Sequence, residues 1–379
     1  MRPLRIGIDA YSVKDRAGIG RYSRELIREL TEEAGGDEIV LFHPRGQPWS
    51  EAGGRGARRV TSRFSSRAAW ELFALPGLLR PALVDVFHGP DFTLPRGVQR
   101  GVVTIHDVTF LDRPEFVSRR ARLLYGVLAP GAARRARLVI CPSEHACSRI
   151  SQRLGVSPER IRVIGEGVSP AFGPADGPLA ARARLSLPEG IRARRYVLGV
   201  GTIQRRKNFT ALARAVARLR TEAPDLALVI AGADGVGGRR IHGEMAAILG
   251  AGNVWTGTPD DRALADLYRA AIAACVVSHA EGFGLPILEA FACGTRVVTL
   301  ACEPLVEVAG GAATLAESPE PEAIAEAIRC VLAESAPERA ARVHAGLERA
   351  SAMSWKRAAR RTLEAYREAA EGASCRPAR

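Results

Sequence analysis

Two glutamates, Glu281 and Glu289, flank the turn Gly282-Phe283-Gly284-Leu285-Pro286, which follows a short apolar run ending at Ser278. Proline suits the first turn of a helix, so this pattern predicts a strand, a glycine-rich turn and then a helix opening near Pro286. The start of such a helix aims the N–H groups of Gly284, Leu285 and Ile287 outward as an anion site. Pro286 has no N–H to add. One carboxylate before the turn and one about a turn into the helix can grip hydroxyls at different points along a single ligand. Taken alone, a loop glutamate and a helix glutamate read more readily as solvated surface. A second segment, Gly199-Val200-Gly201-Thr202-Ile203-Gln204-Arg205-Arg206-Lys207-Asn208, repeats the strand–turn–helix pattern and ends in cations. Arg206 and Lys207 can stabilise charge that gathers on a leaving diphosphate, a task often given to Mg²⁺. The ordinary alternative is arginine solvated at a helix start, although Lys207 is one of only three lysines, with Lys14 and Lys356.

Three weaker features share the position just past a strand. Ala17-Gly18-Ile19-Gly20-Arg21-Tyr22 leads into a helix whose apolar face holds Tyr22, Leu26, Ile27 and Leu30, and its glycines allow backbone to approach a ligand closely. Ordinary helix entry explains the same residues. Val102–His106 puts His106 at a strand end, where a structural hydrogen bond is the commoner role for a lone histidine. His88 ends another such run, and His279 neighbours Glu281. The chain has no Asp-x-Asp triplet to clamp a metal–diphosphate and no Gly-x-x-x-x-Gly-Lys-Ser/Thr phosphate loop.

The elements that must carry these residues form two series. Apolar runs at 4–9, 39–43, 84–88, 102–106 and 138–141, separated by amphipathic stretches, predict β-α-β units and a parallel sheet. A second series at 196–201, 226–231, 253–256, 275–278 and 295–300 predicts another. A chain of 379 residues exceeds one ordinary core, so two domains are expected. The Pro/Gly-rich segment Ser169–Pro178 is the expected linker, with an N-terminal domain at 1–175 and a second at 190–352. After Pro319 the pattern is helical, with a frayed tail from Glu371. Open parallel sheets bind ligands beyond the carboxyl ends of their strands, so two doubly wound domains facing across a cleft would gather every motif above.

The block from Ser278 to Gly294 resembles the Glu-x7-Glu motif of the retaining glycosyltransferases of family 4, which have the GT-B fold. The Arg206-Lys207 pair after its strand, the Gly-Ile-Gly loop, His106-Asp107, Gly165-Glu166-Gly167-Val168 and Ser354-Trp355 follow in family order, so the resemblance covers nearly the whole chain. It implies transfer of a hexose from a nucleotide-diphosphate sugar to a hydroxyl with retention and without a metal cofactor. The acceptor would be a glycan, a lipid-linked molecule or a small molecule, with His88 a candidate contact to it. It further implies Glu281 beside the transferred sugar, Glu289 on the ribose, Arg206 and Lys207 on the diphosphate, Gly18, Ile19 and Gly20 closing on the phosphates, and His106 near the sugar. A helix from about 353 to 379 would return to the N-terminal domain. Many relatives carry an arginine where this chain has Thr202, and its task passes either to Arg205 or to nothing. Mannose from GDP-mannose is the expected donor. An epimerase or hydrolase on the same fold, or a non-catalytic nucleotide-sugar or nucleic-acid binding protein, are the alternatives.

The net charge of +13 is unevenly spread, since residues 1–194 hold 31 of the 54 basic residues and 20 of the 41 acidic ones. A basic half attracts phosphates, anionic lipid or nucleic acid. Aromatics at 6% are not interleaved with arginine, which disfavours nucleic acid as a partner. Arg119, Arg120, Arg122, Arg134, Arg135 and Arg137 around Leu123–Leu128 fit a helix lying on anionic membrane, and equally one with solvated arginines. The seven cysteines show no metal-ligand spacing and read as small buried hydrophobes. Without a signal-peptide pattern or a long apolar span, the expected location is cytoplasmic, with peripheral attachment at the inner membrane face as an option.

Overall fold

The apolar runs resolve into two wholly parallel sheets in the computed structural model, which describes residues 2–15, 18–46, 56–64, 66–82, 84–175 and 178–371. Ala17, Asp176, Gly177 and the tail 372–379, which figure in the motif, linker and tail readings, lie outside the described residues. The chain divides into one unit of Met1–Glu166 with Trp355–Arg379 and another of Gly167–Ser354.

In the first unit the strands are β1 (Arg5–Asp9), β2 (Glu38–Pro44), β3 (Arg58–Ser62), β4 (Val86–Gly89), β5 (Gly101–Thr104), β6 (Leu138–Cys141) and β7 (Ile161–Val163), in the order β3-β2-β1-β4-β5-β6-β7. In the second they are β8 (Arg195–Val200), β9 (Leu226–Ala231), β10 (Val254–Gly257), β11 (Ala273–Val276), β12 (Val297–Leu300) and β13 (Thr314–Ala316), in the order β10-β9-β8-β11-β12-β13. The order reverses between β1 and β4 in one sheet and between β8 and β11 in the other. Loops diverge at such a switch point and leave a crevice beyond the strand ends. Two of the three strands that the apolar pattern does not announce, β3 and β7, border the first sheet, and β13 borders the second. An edge strand is covered less than a central one, and Arg58-Arg59-Val60-Thr61-Ser62 is mostly exposed or half-buried.

The segment from Gly167 to Gly173 belongs to the second unit, so the boundary precedes the Pro/Gly-rich stretch instead of lying in it. The reason is packing: Val168 bridges to Ser354, Phe172 sets its ring at 6.0 Å from Tyr268, and Arg269 Nε donates to the Gly173 carbonyl at 2.8 Å. The final helix, Trp355–Glu371, returns to the first unit and buries Trp355, Ala358, Ala359, Thr362, Leu363, Ala365, Tyr366 and Ala369. That spacing is one helical face. Burying the large members contributes roughly 1.5–3 kcal/mol each. Lys356 and Arg360 add exposed ion pairs to Glu33 at 3.1 and 2.6 Å, which contribute far less. Of the cysteines, Cys141, Cys275 and Cys293 are buried as expected, but Cys302 and Cys330 are exposed; all of the described ones are free.

Candidate active site

β8 and β11 are adjacent, and each delivers a loop at its carboxyl end. After β8 the chain passes Gly201 and makes a tight turn at Arg205–Lys207, before Asn208, at φ 58°, opens the helix Phe209–Leu219. Gly201 has φ +132°, and a Cβ there would lie 2.7 Å from Lys207 Cε. The missing side chain is the space through which the lysine passes. After β11 the loop reaches Glu281, and Gly284, at φ 116°, precedes the helix Leu285–Ala292. The loops are cross-tied, because the His279 N–H donates to the Arg206 carbonyl at 2.9 Å and Arg206 Nη1 donates to the Ala280 carbonyl.

Three of the sequence-derived candidates meet there. Arg206 Nη1 lies 2.8 Å from Glu281 Oε2 and Lys207 Nζ lies 2.5 Å from Oε1. Lys207 and Glu281 side chains are each 9% exposed, so the ion pair is buried and costly to break. Burial pushes the Glu281 carboxyl up, but the Arg206 and Lys207 charges and hydrogen bonds from Lys207 and Ser278 outweigh it and hold the pKa at about 2. Lys207 is pushed below the usual lysine value by burial and by the charge of Arg206, with Glu281 opposing. The carboxylate is ionised with a cation on each oxygen.

Glu289 is placed differently. It is buried within the helix and accepts a hydrogen bond from the Tyr268 hydroxyl at 2.9 Å. The helix start offers fewer donors than the sequence suggests, since the Ile287 N–H is used on the Gly284 carbonyl at 2.9 Å. Gly284 and Leu285 remain at the positive end, where N–H groups lack intrahelical partners. Arg205 is exposed and its side chain makes no hydrogen bond or ion pair among the described residues, so it does not join the Glu281 group in place of an arginine at Thr202.

The other candidates sit beyond β1, β4 and β5 in the first unit. Gly18, Ile19 and Gly20 form the first turn of the helix Gly18–Glu33, with Tyr22, Leu26, Ile27 and Leu30 buried beneath. A Cβ on Gly20 would fall 1.9 Å from the Asp15 carbonyl oxygen, so that glycine is required by the preceding turn of the chain itself. His106 stands just past β5 and places Nε2 at 3.0 Å from the Pro90 carbonyl. His88 is not an acceptor contact: it is fully buried, with Nδ1 2.7 Å from the Tyr366 hydroxyl and Nε2 2.8 Å from Thr104 Oγ1. It fastens the returning helix to the sheet, which a motif at a strand end does not reveal. Sequence reasoning gave no role to Tyr268, which lies outside every motif, or to Ser278, which only opens the glutamate block, yet these two touch Glu289 and Glu281.

Among known proteins, residues 188–348 match the family described as Glycosyl transferases group 1, and residues 16–172 match Glycosyltransferase Family 4. The chain is 29% identical over 374 residues to O-antigen chain mannosyltransferase B of Escherichia coli, an alignment covering 92% of this chain and 96% of that one. It is 38% identical over 236 residues to D-inositol 3-phosphate glycosyltransferase 1 of Catenulispora acidiphila, covering 59% of this chain and 55% of that one, so it spans about half that relative's length. Among solved structures, sucrose-phosphate synthase from Thermosynechococcus elongatus superimposes with a TM-score of 0.77 at 23% identity, covering 97% of this chain and 99% of that one, a likeness of fold.

Proposed function

Because this chain belongs to the family-4 glycosyltransferases of the GT-B fold and acts on a sugar-nucleotide donor, we propose that it transfers mannose from GDP-mannose to an acceptor hydroxyl, with retention and without a metal. The observation that carries the reading is the convergence of Arg206 and Lys207 on Glu281 at the ends of β8 and β11. A departing diphosphate gains negative charge in the transition state, and two fixed cations with the N–H groups of Gly284 and Leu285 stabilise it without reorganising. Glu281, neutralised on both oxygens, is a poor nucleophile. The leaving phosphate oxygen is then the base that takes the acceptor's proton on the face where the new bond forms. Glu289 holds the donor's ribose, the Gly18–Gly20 turn closes on its phosphates, and His106 stands near the sugar. Mannose rests on the E. coli relative, whose name states that sugar and whose length is matched almost throughout.

The test is a thermal-shift screen of GDP- and UDP-sugars followed by product analysis with EDTA. GDP-mannose at 100 times its dissociation constant should add about 2.7 kcal/mol of stability, and transfer should continue in EDTA with the α-linkage of the donor kept. A larger shift with UDP-glucose would replace the donor. Loss of turnover in EDTA, restored by Mg²⁺, would replace the metal-free chemistry.

The acceptor we propose is lipid-linked, at an anionic membrane surface. The helix Arg119–Arg135 exposes Leu123 and Val127, at 73% and 72%, beside exposed Arg119, Arg120 and Arg122. An apolar strip with a basic margin suits a helix lying in lipid headgroups, and no described helix is long and apolar enough to cross a membrane. The protein should co-sediment with phosphatidylglycerol vesicles, release as salt rises, and lose binding when Arg119, Arg120 and Arg122 become Gln. Equal sedimentation with neutral vesicles, or none with either, would point to a freely dissolved acceptor.

A further inference from the structure

Glu166, the last residue before the second unit, sits between two glycines past the end of β7 and faces His106. His106 is 6% exposed, and its two ring nitrogens face different acceptors. Nε2 lies 3.0 Å from the Pro90 carbonyl oxygen and Nδ1 lies 3.5 Å from Glu166 Oε1. A carbonyl cannot donate, so Nε2 carries a hydrogen. Nδ1 is within ion-pair range of the carboxylate, which repels a bare lone pair there and so favours a hydrogen on Nδ1 as well. The Tyr22 ring meets the imidazole edge-on at 4.6 Å and Phe92 lies at 5.6 Å, which holds the ring plane.

His88, on the neighbouring strand, is the contrast. Its nitrogens meet hydroxyls, of Tyr366 and Thr104, and a hydroxyl can donate or accept. Those partners accommodate a neutral ring, and burial with the charge of His106 pushes the His88 pKa down to about 3. Burial also opposes charge on His106, but Glu166, the Pro90 carbonyl and the Asp91 carboxylate outweigh it and raise its pKa above the usual histidine value. Two adjacent strand-end histidines are thereby pushed in opposite directions, His106 toward the charged form and His88 toward the neutral one. The groups facing His106 are Glu166 from beyond β7, Asp91 and His88 from β4 and its following loop, and Tyr22 from the helix Gly18–Glu33.

We propose that Glu166 is a positioning residue for the transfer reaction: it holds His106 as a fixed imidazolium, so that His106 acts by its positive charge and not as a proton acceptor. The proposal rests on the reading of His106 as a site residue given above. It also explains why an acidic residue stands in Gly165-Glu166-Gly167, a segment whose neighbours have no side chain to offer.

The experiment combines ¹⁵N NMR of the histidine rings in the full chain, with His106 assigned through His106→Gln, and kcat as a function of pH for wild type, Glu166→Gln and Glu166→Asp. In wild type both His106 nitrogens should be protonated at neutral pH while His88 is neutral. Glu166→Gln should lower the His106 midpoint by about 1–3 pH units, the usual effect of removing an opposite charge at this range, and carry the alkaline limb of kcat down by the same amount. Glu166→Asp, which keeps the charge, should recover part of both. A neutral His106 ring in wild type at pH 7 would overturn the proposal even if Glu166→Gln does not fold. A kcat limb that stays put while the ring midpoint moves would overturn the link to the reaction. A His106 that titrates with Glu166 in a chain with no transferase activity would instead count against the function proposed above and support the ion pair.

Discussion

Lys207→Ala and Arg206→Ala should each lower kcat about 10²–10³-fold, the usual loss when one preorganised donor to developing charge is removed. The two are not interchangeable. Lys207 is 7% exposed and passes through the space left by Gly201, so its charge is fixed before donor binds. Arg206 is more open, with its side chain 20% exposed, and also ties the two loops through the Ala280 carbonyl. Arg206→Lys should therefore recover little, since both bonds leave one Nη1 held in the guanidinium plane, and a lysine ammonium on a flexible stem has no such plane to fix it. Steady-state kinetics with a single donor settle the matter. Full turnover in both alanine variants would mean that the diphosphate lies elsewhere, and a loss confined to KM would mean that the cations serve binding alone.

These residues were legible because the physics that buries them also restricts their neighbours. A parallel sheet covered on both faces requires apolar strands, so the central strands β1, β4, β8 and β11 stand out, whereas β3, β7 and β13 at the edges do not. Glycines and cations just past a strand mark the loops that approach a ligand, and Glu281, Arg206 and Lys207 do converge. What the sequence cannot carry is partnership across long separations. His88 and Tyr366 are far apart in the chain and each is unremarkable alone, yet one hydrogen bond between them turns a candidate contact residue into part of the core. Ile287 fails for a local reason, because the turn closes on the Gly284 carbonyl and uses the N–H that the helix start would have offered. The unit boundary was misplaced because Pro and Gly content reports turn chemistry, while the assignment of Gly167–Gly173 follows from Val168, Phe172 and Gly173 packing on the second unit.

The two glutamates should separate in opposite directions. Glu289→Ala is expected to weaken donor binding by roughly 1.5–3 kcal/mol, the range for a hydrogen bond to a charged group, with some further loss of stability because the bond from the Tyr268 hydroxyl is gone. Glu281→Ala should chiefly lower kcat, and it should also destabilise the second unit, because it strands the buried Lys207 ammonium. Breaking a buried pair in this way costs about 3–5 kcal/mol, which for a unit of this size lowers Tm by roughly 6–20 °C. The pH dependence identifies the cause. The Glu281 pKa is depressed to about 2 from a reference of 4.5, so its stabilisation is complete above the reference value and is lost as pH falls toward the folded one. The gap in Tm between wild type and Glu281→Ala should accordingly be widest above that range and narrow below it. Adding Lys207→Met to Glu281→Ala removes the stranded charge, and should restore most of the Tm while leaving the enzyme inactive, since an apolar pair can replace a buried ion pair in packing but not in holding a diphosphate. A double variant that regains activity, or a Glu281→Ala protein with unchanged Tm and turnover, would show that this ion pair neither builds the site nor serves it.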